Sequence, residues 1–282
     1  MTRQSLPARA RLFVCIASLA LVSLFFIKTS QAQSTPALNG IAHIAIRVHS
    51  LDASRDFYKK LGFDEAFALS KNGAVYQSFI KLNDRQFIEL YPVTAKDSEV
   101  GFLHLCFESD NLQAVYDDYI ARGVTPNFKI RKAGAGNLLF TMKGPLQAAG
   151  PQNIEYTQYM PGSHHYSDRG QHLGADRVGT KLVSVTLAMQ DPAAAQAFYL
   201  DKLKFTPEAH HPEVFGLPGT SGEMVEIVPV ATLGSKGRIT LATASLKNSA
   251  RLLKQAHVVF KKARKSLTVT DPDGNLIVIE KH

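Results

Sequence analysis

Repetition is the feature that most limits what this chain can fold into. HIAIRVHSLDASRDFY at residues 43–58 aligns with SVTLAMQDPAAAQAFY at 184–199. QFIELYPV at 86–93 aligns with EMVEIVPV at 223–230, and GFLHLCFES at 101–109 with GRITLATAS at 237–245. Within the first half the order of elements recurs as well. Its first unit reads as a strand at 41–48, a helix at 52–61 and strands near 64–69, 74–81 and 86–92. Ser50 or Asp52 can cap that helix, and Gly62 stops it. Residues 102–158 repeat the order: a strand at 102–108, a helix at 111–122 ending at Gly123, and three more strands. A βαβββ unit covers one sheet face with its own helix and leaves the other open. Two units side by side therefore close a curved eight-stranded sheet whose concave face can take a ligand. The expectation is an α+β fold of four βαβββ modules, paired into tandem domains at 39–160 and 181–282 and joined by a polar linker at 161–180.

Within the first half, a His early in one strand is followed by a Glu in a later one, and this happens twice. His43 sits in IAHIAIRV and Glu89 in QFIELYPV; His104 sits in GFLHLCFES and Glu155 in QNIEYTQY. Two His and two carboxylates form a full coordination set for a divalent first-row metal. Strand alternation puts His43, Ala45 and Arg47 on one face, while Ile44, Ile46 and Val48 pack beneath the helix. Glu89 lies with Phe87 and Tyr91, Glu155 with Asn153 and Thr157, and Cys106 faces the same way as His104. A lone buried His is commonly a hydrogen-bonded core residue, and a lone Glu commonly solvates a sheet face. Four in matching register are harder to explain that way, because an ionised carboxylate inside a closed sheet needs a cation or a donor. In the second half the pattern fails. Ser184 stands for His43, Thr240 for His104 and Val278 for Glu155, and only Glu226 keeps the type of Glu89. The second domain is therefore expected to bind no catalytic metal.

HIAIRVHSLDASRDFYKKLGF, then FIELYP, FLHL and NIEY, resembles the vicinal oxygen chelate superfamily, which includes glyoxalase I, extradiol dioxygenases and the bleomycin and fosfomycin resistance proteins. DPDGN at 271–275 is similar to the turn that precedes the last strand in that family. The resemblance implies one divalent ion, Zn, Ni, Fe or Mn, on the concave face of residues 39–160. Its ligands would be His43, Glu89, His104 and Glu155, and two adjacent positions would be left for vicinal oxygens of a small-molecule substrate. Glu89 and Glu155 are then the candidate catalytic carboxylates. Arg47, where glyoxalase I also has an Arg in its first strand, and Tyr91 are candidate substrate contacts. The alternative for Arg47 is a rim residue paired with an acid. Tyr156, Tyr159, His164 and His165 are candidates for the cavity mouth.

Three functions fit these residues. A lyase or isomerase of the glyoxalase type uses the metal to stabilise an enediolate while a carboxylate moves the proton. An Fe(II) extradiol-type dioxygenase needs two His and one carboxylate, which His43, His104 and Glu155 supply. A non-enzymatic binding or resistance protein uses only the pocket. Glu89 and the stripped second domain favour the first.

The N-terminus bears on location. Arg3, Arg9 and Arg11 precede an apolar run from Leu12 to Ile27, and Ser30-Gln31-Ala32 is a small-x-small cleavage signal. This reads as a signal peptide over residues 1–32, with export to the periplasm or medium. An uncleaved anchor is the rival, although the run is shorter than the roughly 20 residues a spanning helix needs. Cys15 opens the apolar run instead of ending it, so no lipoprotein box is read there. Cleavage would remove four cations and no acid, taking the formal charge from +8 to +4. That mild excess calls for no nucleic-acid partner, and no membrane contact is expected after cleavage. Lys261-Lys262-Ala263-Arg264-Lys265, the one dense cluster, reads as a solvated loop or hairpin. Cys106 alone remains, which excludes an intramolecular disulfide.

Overall fold

A computed structural model describes residues 35–282; the segment read as a signal peptide lies outside the described residues. The first half contains β1 (Gly40–Val48), α1 (Leu51–Lys60), β2 (Glu65–Lys71), β3 (Ala74–Lys81), β4 (Phe87–Pro92) and β5 (Gly101–Glu108). It continues with α2 (Leu112–Ala121), β6 (Arg131–Lys132), β7 (Leu138–Gln147), β8 (Gly150–Gln158) and the short α3 (His164–Ser167). The second half contains β9 (Lys181–Met189), α4 (Pro192–Asp201), β10 (Thr206–Glu208), β11 (His211–Gly216), β12 (Met224–Pro229) and α5 (Val230–Leu233). It ends with β13 (Arg238–Thr243), α6 (Leu246–Gln255), β14 (Phe260–Lys262), β15 (Ser266–Thr270) and β16 (Leu276–Lys281).

The expected architecture is present. There are two mixed eight-stranded sheets, ordered β2-β3-β4-β1-β5-β8-β7-β6 and β10-β11-β12-β9-β13-β16-β15-β14. The helices start where local chemistry starts them. Ser50, Asn111, Asp191 and Ser245 each accept a bond from a backbone N–H in the first turn of α1, α2, α4 and α6, and Pro192 opens α4. Gly62, at φ 88°, provides the left-handed residue that ends α1.

The two halves share one apolar core. Ile44, Ile46 and Val48 of β1 belong to the same buried cluster as Leu187 and Tyr199 of the second half. Phe107 meets Phe205 edge-on, with ring centroids 5.3 Å apart. Polar contacts reinforce the join. Gln86 bonds both the N–H and C=O of Leu182, and Tyr58 donates to Asp271.

Part of the 161–180 segment is fixed to the first sheet. The side chain of Lys81 is fully buried, and its Nζ donates to Asp168 Oδ2 at 2.7 Å and to the Asp168 carbonyl at 2.5 Å. His164 N–H donates to the Ala135 carbonyl. This holds α3 over the concave face.

The candidate metal centre

The four sequence-chosen ligands lie on four adjacent central strands, β4, β1, β5 and β8. Registers bring them together. Ala45 of β1 is level with Glu89 on one side and His104 on the other, while Cys106 sits between His43 and Glu155. One-residue irregularities in the β1–β5 ladder, at Ala42 and at Leu103, adjust where the two His are aimed.

The four side chains converge. His43 Nε2 lies 3.1 Å from His104 Nε2, 3.4 Å from Glu89 Oε1 and 3.5 Å from Glu155 Oε1. His104 Nε2 lies 3.9 Å from Glu89 Oε2 and 4.0 Å from Glu155 Oε2. Two donors each about 2.1 Å from one ion are about 3.0 Å apart at a right angle and about 3.4 Å apart at the tetrahedral angle. The His–His and His–Glu spacings fall in or near this range, and His43, Glu89 and His104 form one compact triad. All four residues are buried, and the His43 and His104 rings meet at 73°.

The electrostatics agree with the donor set. Burial, then the neighbouring His104, holds His43 well below the usual imidazole range, and burial brings His104 down to about 4. Both rings are thus neutral, the form that binds metal. Burial, then the nearby Glu155, raises Glu89 well above the carboxylate range; burial raises Glu155 to about 7. Two buried carboxylates with no cation beside them meet the desolvation cost that a bound divalent ion would remove. Cys106 Sγ is 3.4 Å from Glu155 Oε1 and forms a second possible triad with His43 and Glu155. Burial pushes its thiol up, so it keeps its proton.

A cavity of about 290 Å³ opens beside the cluster, with Glu89, Tyr91, Glu155 and His165 in its wall. Tyr91 is therefore at the site, where its hydroxyl donates to Glu89 Oε2 at 3.1 Å. Arg47 is not. Its guanidinium reaches Asp97 Oδ1 at 3.6 Å and the Glu99 carbonyl at 3.3 Å, beside a different groove, which matches its rim reading. Tyr156 faces the helix side, where it accepts a bond from Tyr119 within the apolar core. His164 stacks on Phe67 at 5.0 Å.

His165 is the surprise among the mouth candidates. It is 2% exposed, stacks on Tyr159 at 4.4 Å and touches Phe67, Phe79 and Phe87 edge-on. Neither of its ring nitrogens has a protein partner, and the buried Asn137 Oδ1 and Tyr159 hydroxyl also lack one. Buried polar atoms are rarely left without a partner, whether protein, water or ligand. Two further contributors escaped the sequence reading, Gln77 and Asn137. Gln77 donates to Glu89 Oε2 at 2.8 Å. Alternation with the inward-facing Phe79 was the available signal for Gln77; Asn137 lies in a turn and had none.

The second sheet corrects one correspondence. Thr186 is opposite Arg238 and Ser184 opposite Thr240, whereas Ala45 is opposite His104 and His43 opposite Cys106. Because β5 carries an extra residue at Leu103, the counterpart of His104 is Arg238 and that of Cys106 is Thr240. Ser184, Glu226 and Val278 remain the counterparts of His43, Glu89 and Glu155. Arg238 donates to Glu226 Oε2 at 2.5 Å and to Thr186 Oγ1 at 2.8 Å. A guanidinium thus stands where the first sheet gathers its metal-ligand types.

Comparisons with known proteins support the same picture. Residues 40–149 match the Glyoxalase/Bleomycin resistance protein/Dioxygenase superfamily. The match lies within the first domain, and the two-sheet fold is shared with the solved structures that follow. The Mn(II)-bound glyoxalase from Novosphingobium aromaticivorans superposes with a TM-score of 0.65 at 13% identity, covering 87% of this chain and 82% of that one. The 2,3-dioxygenase LapB from Pseudomonas sp. KL28 gives 0.61 at 14%, covering 88% and 94%. Homoprotocatechuate 2,3-dioxygenase from Brevibacterium fuscum, in complex with 3,4-dihydroxyphenylacetate, gives 0.60 at 16%, covering 89% and 82%. No curated protein matches the sequence significantly.

Proposed function

We propose that the first domain holds one divalent cation through His43, His104, Glu155 and Glu89, and that the protein is a lyase or isomerase acting on a small oxygenated molecule. The observation that carries this reading is the convergence of four buried donors at 3.1–4.0 Å beside a cavity. When bound, such a cation supplies Lewis-acid stabilisation of negative charge on a substrate oxygen. Such a cation, held by these side chains, would polarise vicinal oxygens of a substrate. The other tasks fall to the chain. Gln77 and Tyr91 fix Glu89 Oε2, which orients this carboxylate as the proton acceptor. The burial that raises its pKa makes it a stronger base. His165 offers one donor and one acceptor to the substrate, and the rings of Phe79 and the α3 segment exclude water.

A dioxygenase is the second reading, favoured by one observation. Glu89 Oε2 is already engaged by two side chains, and with Glu89 withheld the remaining set is two His and one carboxylate. Elemental analysis of protein purified without added metal, beside His104→Ala, tests the shared premise: one first-row ion per chain, lost in the variant. A panel of 2-oxoaldehyde hemithioacetals, 2-hydroxyketones and catechols separates the two chemistries. Exchange of a substrate C–H with deuterated solvent supports the lyase or isomerase; oxygen consumed in step with product overturns it. Export belongs to the same proposal. The exported protein should begin at Gln33, and a chain still beginning at Met1 would overturn cleavage.

A further inference from the structure

A large groove lies away from the candidate metal centre, on the helix-bearing side of the second sheet, between α6 and the β14–β15 turn. It encloses about 780 Å³, a size typical of sites for small organic ligands. Five cations line it: Lys247, Arg251 and Lys254 from α6, and Lys262 and Arg264 from the turn and its strand. In sequence these belong to two separate clusters, and only folding brings them face to face. Residues 245–270 contain seven Lys and Arg and no Asp or Glu. The ion pairs within the second sheet use Lys181, His211 and Arg238, and none of the five groove cations is paired among the described residues.

Ordinary explanations cover part of this. β14 is an edge strand, and Lys on an edge blocks unwanted pairing. That accounts for Lys261 and Lys262 but not for α6. A solvated helix face usually mixes signs. The corresponding helix of the first domain, α2, carries Asp117 and Asp118 and pairs Arg122 with the latter. The fold therefore does not demand a basic face here. Two further details point to a ligand. The floor of the groove is apolar, formed by Leu246, Ala250 and Leu267. Arg251 is also held in place, with its Nε and Nη2 donating to Asn248 Oδ1 and its Nη1 to Gln255 Oε1 at 2.6 Å. A fixed, planar guanidinium loses little freedom on meeting an anion.

We propose that this groove binds an amphiphilic organic anion. The anionic head (a carboxylate, sulfate or phosphate ester) lies among Arg251, Lys254 and Arg264, and the apolar body lies along Leu246, Ala250 and Leu267. The site is independent of the metal centre and of the reaction assigned to it.

Titration calorimetry of the full chain tests this, with dodecyl phosphate below its micellar concentration as the probe. The neutral control is dodecyl maltoside, also below its micellar concentration. The groove variant is Arg251→Gln/Lys254→Gln/Arg264→Gln, all at exposed positions, and the control variant removes three exposed cations elsewhere, Lys59→Gln/Lys60→Gln/Lys71→Gln. One molecule of dodecyl phosphate should bind per chain. Affinity should fall by about tenfold or more in the groove variant, as expected when charge-assisted contacts are lost, and stay level in the control variant. Equal affinity for the neutral detergent, or an unchanged groove variant, would overturn the proposal. So would equal weakening in both variants. Sedimentation with 3:1 phosphatidylcholine/phosphatidylglycerol vesicles, without binding of the free amphiphile, would also overturn it in favour of a bilayer contact.

Discussion

The two sheets hold a carboxylate at the same place in the same fold and neutralise it in different ways. In the first, Glu89 faces His43 and His104 at 3.4 and 3.9 Å, and both rings are kept neutral by burial. Burial holds its carboxyl well above the usual range, so its charge is relieved by a proton or by a bound cation. In the second, Arg238 occupies the register position of His104 and donates to Glu226 at 2.5 Å, so the charge is built into the chain. The second arrangement needs no ion and has no open position at which a substrate oxygen could be polarised. With Ser184 and Val278 at the positions of His43 and Glu155, and Arg238 at that of His104, the second sheet holds a structural ion pair where the first holds the candidate metal site.

The largest expected effect is on metal content. His104→Ala should reduce affinity by more than the 10–100-fold that loss of an outer partner costs. The reverse experiment sharpens the contrast. Ser184→His/Arg238→His/Val278→Glu should give the second sheet an ion of its own, whereas Ser184→His/Thr240→His/Val278→Glu should not. If the Thr240 version binds metal equally well, the bulge-shifted register is wrong. Next in size is turnover. Glu89→Gln should lower activity by roughly 10²–10⁴-fold, the contribution of a general base, with metal content hardly changed. Full turnover in that variant would remove Glu89 from the chemistry.

A smaller effect concerns pH. With its pKa raised to about 7, Glu155 carries a proton at lower pH that an incoming cation must displace. Metal affinity should therefore rise with pH between about 5 and 7, by about tenfold per unit for each proton released. Competition titrations against a chelator at several pH values would show this; an affinity that falls with rising pH would contradict it. The smallest effect belongs to the second sheet. Arg238→Ala strips Glu226 of a part-exposed partner, and stability should drop by about 1 kcal/mol, read as a lowered Tm with metal content unaltered.

Most of this contrast is visible in the residue string, because a period of two fixes faces and capping residues fix helix starts. His43, Glu89, His104 and Glu155 could be chosen as one set for that reason. The counterpart of His104 could not, since one inserted residue at Leu103 leaves no compositional mark while shifting every later pairing. Arg47 was ambiguous because its partner, Asp97, lies in a loop whose path alternation does not determine. His165 sits in a segment with no period at all, and Phe67, Phe79 and Phe87, which bury it along with Tyr159, come from distant parts of the chain. The basic groove was hidden differently: each cluster looks like solvated surface until α6 and the β14–β15 turn face each other.

The shared core has a consequence for how the molecule tolerates change. With Phe107 packed on Phe205 and Tyr199 exchanging hydrogen bonds with Gln152, the halves should melt in one cooperative transition. Damage to packing in the second half then lowers the population of the intact candidate site in the first. The candidate site thus depends on apolar residues of the other half such as Leu187, Tyr199 and Phe205, which lie in the shared core.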